Sequence, residues 1–213
     1  MEIKKFTVNA FQENCYLLWN GETKQAIVID PGMVTAQERN SVDDFITANA
    51  LAIKAVLLTH AHVDHAASAS YISEKYGCDI YANQLDFDLA ENLPLQASAF
   101  HLRADVKPLM ELKNICDGDE LELCGESIKA IALPGHTRGG MAYYFPNLKS
   151  VFAGDSIFLG SIGRTDLWGG NYNDLIFSLK NKILTLPENT VIYPGHGPET
   201  NVQEERTYNT YLI

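Results

Sequence analysis

At 213 residues, with 46% hydrophobic and 20% charged residues and no low-complexity run, the chain is built for one compact folded domain and not for disorder. Its formal net charge of −11 argues against nucleic acid or an anionic membrane surface as the main partner, since both demand clustered Lys and Arg. The opening MEIKKFTVNAFQENCYLLW has neither an apolar signal core nor a small-residue cleavage site, and no stretch approaches the roughly 18 to 20 apolar residues that span a bilayer, so a cytoplasmic location is expected. Cys15, Cys78, Cys116 and Cys124 form no C-x-x-C pair and read as free, mostly buried thiols of a reducing compartment.

In chain order, EIKKFTV, NCYLLW and QAIVID read as strands, the third ending at the breaker Asp30-Pro31-Gly32. Ser41-Val42-Asp43-Asp44 resembles a capping box opening a helix over FITANAL. KAVLLT is a short buried strand that delivers the chain into His60, and residues 66–77 return to helix. A short strand and the acidic segment NQLDFDLAEN follow. Periodicity fades from Leu93 to Asp117, and a loop of that length in a compact domain marks a candidate lid. The second half predicts strands at DELELC, ESIKAIAL, MAYYF and KSVFAGD, a helix over DLIFSLKNKIL opened by Asn173 or Asp174, and a last strand at TVIYPG. Two sequential sets of strands and helices are best buried as two facing sheets with helices outside, an α/β (α+β) arrangement.

Three of the six histidines fall within VLLTHAHVDHAAS. In an extended segment residues i and i+2 share a side, roughly 6 to 7 Å apart, so His60 and His62 can converge on one cation at metal–nitrogen distances of about 2.1 Å. Asp64 and His65 come too soon for the same tetrahedral shell and suit a second ion beside the first. Three more strand ends carry a donor directly after Gly: His136 in IALPGHT, Asp155 in VFAGDS and His196 in VIYPGHG. Any one of these reads as readily as a capping or core residue, but seven at strand-end loops read together as a dinuclear site. His101 lacks that setting and is left as a surface or lid residue.

This pattern resembles the metallo-β-lactamase superfamily, whose T-H-x-H-x-D-H mark stands at Thr59-His60-Ala61-His62-Val63-Asp64-His65, with Asp30-Pro31-Gly32, Pro134-Gly135-His136-Thr137, Gly154-Asp155 and Pro194-Gly195-His196-Gly197-Pro198 in the family's order. The resemblance implies a four-layer αββα sandwich over residues 1–213. It also implies His60, His62 and His136 on one metal, Asp64, His65 and His196 on the other, and Asp155 bridging. Two divalent ions are expected, zinc first, with iron or manganese compatible with the same donors. Within the superfamily the chain is most similar to the short, single-domain glyoxalase II-like (hydroxyacylglutathione hydrolase-like) branch, which shares Gly163-Arg164-Thr165-Asp166. That branch implies Arg164 and Tyr143 as contacts to the glutathione part of a substrate, with a salt bridge to Asp166 as the alternative for Arg164 and a plain strand position as the alternative for Tyr143. The chain ends 13 residues after Thr200, so the helical glutathione-binding domain of full-length glyoxalase II is expected to be absent, and Gly140 stands where the family's H-T-P-G-H has its second His.

The function these features predict is metal-dependent hydrolysis of small-molecule acyl thioesters such as S-lactoylglutathione by a metal-bridging hydroxide, with Asp64 as ligand, orienter and proton acceptor. Two enzymatic alternatives share the residues: a persulfide dioxygenase using one iron on His60, His136 and Asp155, and a lactonase or esterase of the same fold. A purely structural or metal-buffering role sits poorly with a thiolate-free donor set that leaves room for water.

Overall fold

The computed structural model describes residues 1–102 and 105–213. Strands β1 (Glu2–Val8), β2 (Glu13–Trp19) and β3 (Gln25–Ile29) form an antiparallel meander. Helix α1 (Ala36–Ala48) then carries the chain to β4 (Ala52–Leu57), which lies parallel to β3. The short α2 (Val63–Ala66) and α3 (Ala69–Tyr76) lead to β5 (Asp79–Ala82), and α4 (Phe87–Glu91) and α5 (Leu93–Ala99) to β6 (Lys113–Asn114). The result is a six-stranded mixed sheet in the order β1-β2-β3-β4-β5-β6.

The second half repeats the plan. Strands β7 (Glu120–Leu123), β8 (Glu126–Ala132), β9 (Met141–Phe145) and β10 (Ser150–Gly154) pair antiparallel, and a small hairpin of β11 (Ile157–Phe158) and β12 (Ser161–Ile162) follows. After α6 (Tyr172–Ser178) the chain returns as β13 (Val191–Pro194), parallel to β10, and closes with β14 (Thr200–Asn201) and α7 (Val202–Tyr208). This sheet runs β14-β13-β10-β9-β8-β7.

Strand periodicity distributes the apolar side chains among three cores. Leu17, Val28 and Val56 face Val42, Ile46 and Ile72 of the first helical layer. Their alternating neighbours Leu18, Ile27 and Leu57 meet Ile128, Tyr143 and Phe152 between the sheets. Ala142, Val151 and Ile192 cover Leu175, Leu179 and Val202 of the last layer. Each fully buried Leu, Ile or Phe contributes about 1.5 to 3 kcal/mol, and burial on both faces is why β2, β3 and β10 read as unbroken apolar runs. The four layers are the αββα sandwich expected from the resemblance. No helix among the described residues is long and apolar enough to cross a membrane.

Three local expectations need correction. Helix α1 begins five residues before the anticipated capping box: Thr35 caps it, its hydroxyl accepting from Glu38 N while the Glu38 carboxylate accepts from Thr35 N. Thr35-x-x-Glu38 is the true box because Ser41 already lies inside the helix. The proposed lid over 93–117 is helical at its start, as α5, and carries β6 near its end; its residues 103–104 lie outside the described residues. Helix α6 is capped by Asn171, whose side-chain oxygen accepts from Asn173 N and Asp174 N. All four cysteines are free, but only Cys15 and Cys124 are buried, while Cys78 is half-buried and Cys116 exposed.

Candidate metal centre

The first four candidate ligands follow β4, and a buried carboxylate at the end of β3 sets their positions. Asp30 Oδ1 accepts from Thr59 N at 2.7 Å. Its Oδ2 accepts from the Thr59 hydroxyl at 2.6 Å and from His65 Nδ1 at 3.0 Å. Because the Thr59 hydroxyl donates to Asp30, its lone pairs are left to accept from His60 Nδ1 at 3.1 Å. His60 and His65 are thereby fixed as Nδ1–H tautomers with Nε2 lone pairs turned inward.

The remaining ligands come from the other sheet. His136 Nδ1 donates to Arg164 O at 2.8 Å and His196 Nδ1 to Phe11 O at 3.0 Å, which again leaves Nε2 of each ring free. Asp155 follows Gly154 at the end of β10. Gly195 makes the approach of the last loop possible, since a Cβ there would stand 2.2 Å from Asp155 Oδ1 and 2.5 Å from His65 Cε1.

Two groups of donors reach the cleft, beside a third, fully buried set of Asp30, His60 and His65. His60, His62 and His136 bring ligand atoms within 4.8 Å of one another, and so do Asp64, His65 and His196. Asp155 lies between them: Oδ1 is 3.3 Å from His65 Nε2, and Oδ2 is 3.5 Å from His196 Nε2 and 3.8 Å from His136 Nε2. Asp64 Oδ2 is 3.4 Å from His196 Nε2. His60 Nε2, His65 Nε2 and Asp155 Oδ1 are buried without any hydrogen-bond partner. Such orphans cost about 1 to 3 kcal/mol each, and a cation at their common focus satisfies them, so the residues fit a metal.

The electrostatics differ across the site: the His60 and His62 rings are held neutral, while positive charge is favoured beside the carboxylates. Burial and four surrounding imidazoles hold His60 well below the usual histidine range. His62 is lowered to about 4, by burial first and then by His136. Burial alone would depress His65 as well, but Asp155 and Asp64 outweigh it and hold that ring well above its ordinary value. Burial works against the charge of Asp155, yet His65, His136 and His196 pull its carboxyl far below the carboxylate range.

The structure therefore brings all seven anticipated ligands together. The two anticipated substrate contacts fare differently. Tyr143 does not line the cleft: it is fully buried between the sheets, and its hydroxyl donates to Leu58 O at 2.8 Å. Arg164 does line the cleft, with its guanidinium held by Asp166 through Nε at 2.8 Å and Nη2 at 2.9 Å. His101 is exposed and takes no part.

Some functional carboxylates escaped sequence reasoning. Asp86, almost fully buried, accepts from Ala61 N at 3.2 Å, the Thr137 hydroxyl at 2.7 Å and Gly139 N at 2.7 Å, joining the loop of His60 and His62 to the loop of His136. Glu13 is buried 4.0 Å from His65 Nδ1, and burial pushes its carboxyl well above the usual range. The signal for Asp86 lay in NQLDFDLAEN, but nothing local marks which acid of that segment turns inward.

His62, Asp64, His136, Asp155 and His196 line the floor of an open cleft of about 230 Å³, walled by Phe11, Phe100, Leu167 and Arg164, with His60 and His65 buried behind them. A two-sheet sandwich with a His/Asp centre at the loops joining its halves defines a metal-binding hydrolase-type domain. The sequence profile of the Metallo-beta-lactamase superfamily matches residues 8–196, and the chain belongs to that superfamily. It is 36% identical to Hydroxyacylglutathione hydrolase GloC of Haemophilus influenzae over all of this chain and 98% of that protein. Among solved structures it is similar to the BLEG-1 B3 metallo-beta-lactamase, with a TM-score of 0.90 and 30% identity over the whole of both chains. TTHA1623 in a di-iron-bound form aligns with a TM-score of 0.87 and 36% identity over 98% of this chain and all of that one. The protein is a metallo-hydrolase of this superfamily.

Proposed function

We propose that this metallo-hydrolase cleaves small-molecule acyl thioesters, S-lactoylglutathione among them, adding one water across the acyl carbon–sulfur bond to release a carboxylic acid and a thiol. The observation that carries the reading is Asp155, whose oxygens face both donor groups at the floor of a cleft open to solvent. The relative named as a hydroxyacylglutathione hydrolase supports the thioester class. The second group, Asp64, His65 and His196, supplies donors for a second ion beside the first, and metal count is what separates this reading from the one-iron dioxygenase that shares the residues. The di-iron relative keeps iron beside zinc as a candidate for the pair.

His60, His62 and His136 would hold one ion, Asp64, His65 and His196 the other, with Asp155 between. Ions bound there supply Lewis acidity and lower the pKa of water from 15.7 toward about 7. The chain's own groups do the rest. Asp30 and Thr59 keep the His60 and His65 rings in the tautomers that face the centre. Asp64, exposed to the cleft, orients the attacking water and holds its proton at a carboxylate oxygen as the thiolate departs. Arg164, whose Nε and Nη2 are held by Asp166, offers its remaining N–H groups to an anionic end of the substrate. The test is metal content measured on one preparation together with turnover of S-lactoylglutathione and of glutathione persulfide. Two metals per chain with hydrolysis supports the proposal, whereas one iron with oxygen uptake on the persulfide overturns it. Full turnover by Asp64→Asn would remove Asp64 from its proton-handling role.

A further inference from the structure

Phe11 and Phe100 are 41% and 45% exposed, yet neither is a loose surface ring. They meet edge to face, centroids 5.8 Å apart at 84°, and together form one wall of the metal cleft. Phe11 sits on the β1–β2 turn, which adopts positive φ at Asn9 (51°) and Gln12 (58°). Such backbone persists only where its surroundings hold it. Here Asn9 Nδ2 donates to Asp64 O at 2.9 Å and to Gly32 O at 2.9 Å, Asn9 Oδ1 accepts from Phe11 N at 2.9 Å, and Phe11 O accepts from His196.

Phe100 ends α5, and α5 is tied to the other side of the same ligand loop. Gln96 Oε1 accepts from Val63 N at 3.0 Å while its Nε2 donates to Ala61 O at 3.1 Å and Leu89 O at 2.9 Å. One amide side chain on each carrying segment thus bolts an aromatic ring to the loop that presents His60 to His65. Rings fixed in advance give up little freedom on binding, which is the condition for an apolar contact to yield affinity.

From this we infer that the Phe11–Phe100 wall is the subsite for the acyl group, and that the substrate class is thioesters whose acyl part is apolar and larger than acetyl, such as butyryl or benzoyl. The inference rests on the acyl-hydrolase reading above and names the substrate class of that site. Arg164 stands in the same cleft as the only non-ligand charged side chain among the described lining residues, leaving the anionic thiol portion to that side. At about 230 Å³ the cleft lies below the roughly 300 to 1,000 Å³ of sites that enclose a whole ligand, so it accommodates the reacting end while the thiol portion lies across the rim.

The test has a binding arm and a turnover arm on metal-loaded protein. In the first, acetate, butyrate and benzoate, the acid products themselves, are titrated by nuclear magnetic resonance. Benzoate should bind about tenfold more tightly than acetate to the unaltered protein. That ratio should fall toward one in Phe11→Ala and Phe100→Ala, and Phe11→Leu should retain part of it. Phe11→Ala keeps the carbonyl that holds His196, and Phe100 is largely exposed, so both variants should fold. In the second arm, acetyl, butyryl and benzoyl thioesters of glutathione and of N-acetylcysteamine are compared by kcat/KM. Preference that follows the acyl group on both thiols supports the inference. Equal binding of the three acids, or variants that leave the ratio intact, overturns it even if thioesters are hydrolysed. Discrimination that follows the thiol overturns the assignment of the wall to the acyl end. Selective binding of the larger acids without hydrolysis of any thioester leaves the apolar subsite standing and overturns the thioesterase reading.

Discussion

His136 Nε2 stands 3.0 Å from His62 Nδ1, although the two residues are 74 positions apart and belong to opposite halves of the sandwich. His62, at the start of α2 with an extended backbone, is the one imidazole of the five that presents Nδ1 to the centre. Two ring nitrogens so close repel unless a proton or a cation lies between them. His136→Ala should therefore lower metal content from two ions toward one per chain and reduce turnover more than about 100-fold, since even indirect partners of metal ligands are worth 10- to 100-fold. Elemental analysis of the purified variant beside its kcat checks both.

Asp86 never reaches the cleft floor, yet it joins the backbone beside His60 and His62 to that beside His136. Asp86→Ala strands the N–H groups of Ala61 and Gly139, at about 1 to 3 kcal/mol each where they stay buried. Metal affinity at the three-histidine group should fall about 10- to 100-fold, with the Asp64, His65 and His196 group less affected. Competition with a chromophoric chelator, read as two separate binding steps, distinguishes this from a general loss of stability.

Gly195 has no room for a methyl group against Asp155 Oδ1 or His65 Cε1. Gly195→Ala should destabilise the fold by about 1 to 3 kcal/mol, as overpacking does, and displace Asp155 and His65, two of the candidate ligands of the proposed second ion. Thermal unfolding measured with and without added metal should show a much smaller metal-induced rise in Tm for the variant.

Away from the centre, Asp43 of α1 is held by the hydroxyls of Tyr71 and Tyr76 and by Lys75 Nζ at 2.6 Å, all from α3. Burial alone would raise this carboxyl, but these partners outweigh it and set it below the usual range. The unfolded chain therefore takes up this proton at a higher pH than the folded one. The contribution is complete above the ordinary Asp value of about 3.9 and is lost as pH falls through the folded value. Asp43→Asn should cost about 1 to 2 kcal/mol at neutral pH, and the gap to the unaltered protein should close below about pH 4. Urea unfolding of both proteins across that range measures it.

The buried hydroxyl of Tyr143 supports Leu58, the residue before Thr59 and His60. Tyr143→Phe removes one hydrogen bond and should cost about 1 kcal/mol in stability while leaving KM for the thioester where it is. A raised KM would return Tyr143 to the substrate site.

The convergence of the candidate ligands was legible because each is a short local signal, a His or Asp at or soon after a strand end, and the sandwich brings strand ends together. Tyr143 and Arg164 show where that reading stopped. MAYYF alternates faces, but both faces of β9 are covered, so the pattern alone does not say that Tyr143 turns toward the intersheet core while Tyr144 packs on the other side. The start of α1 was misplaced because two nearby segments offer capping chemistry, and Thr35 is favoured by Glu38, whose carboxylate also accepts from Asn9 N and Val34 N. Asp86 and Gln96 were illegible because, the Thr137 hydroxyl apart, their partners are backbone groups, which carry no side-chain signature.

Four of the candidate ligands lie before residue 66 and three after residue 135, with the Glu13 and His196 backbones paired where the two halves meet. Asp30, His60 and His65 of the first half form a donor group by themselves, but each of the two groups that reach the cleft needs a histidine from the second half, so both are completed only when the sheets dock. Metal held by the proposed ligands would act as a rivet across the sandwich, adding stability as RT ln(1 + [L]/Kd). Shortage of metal should loosen the seam between the halves before it melts either half.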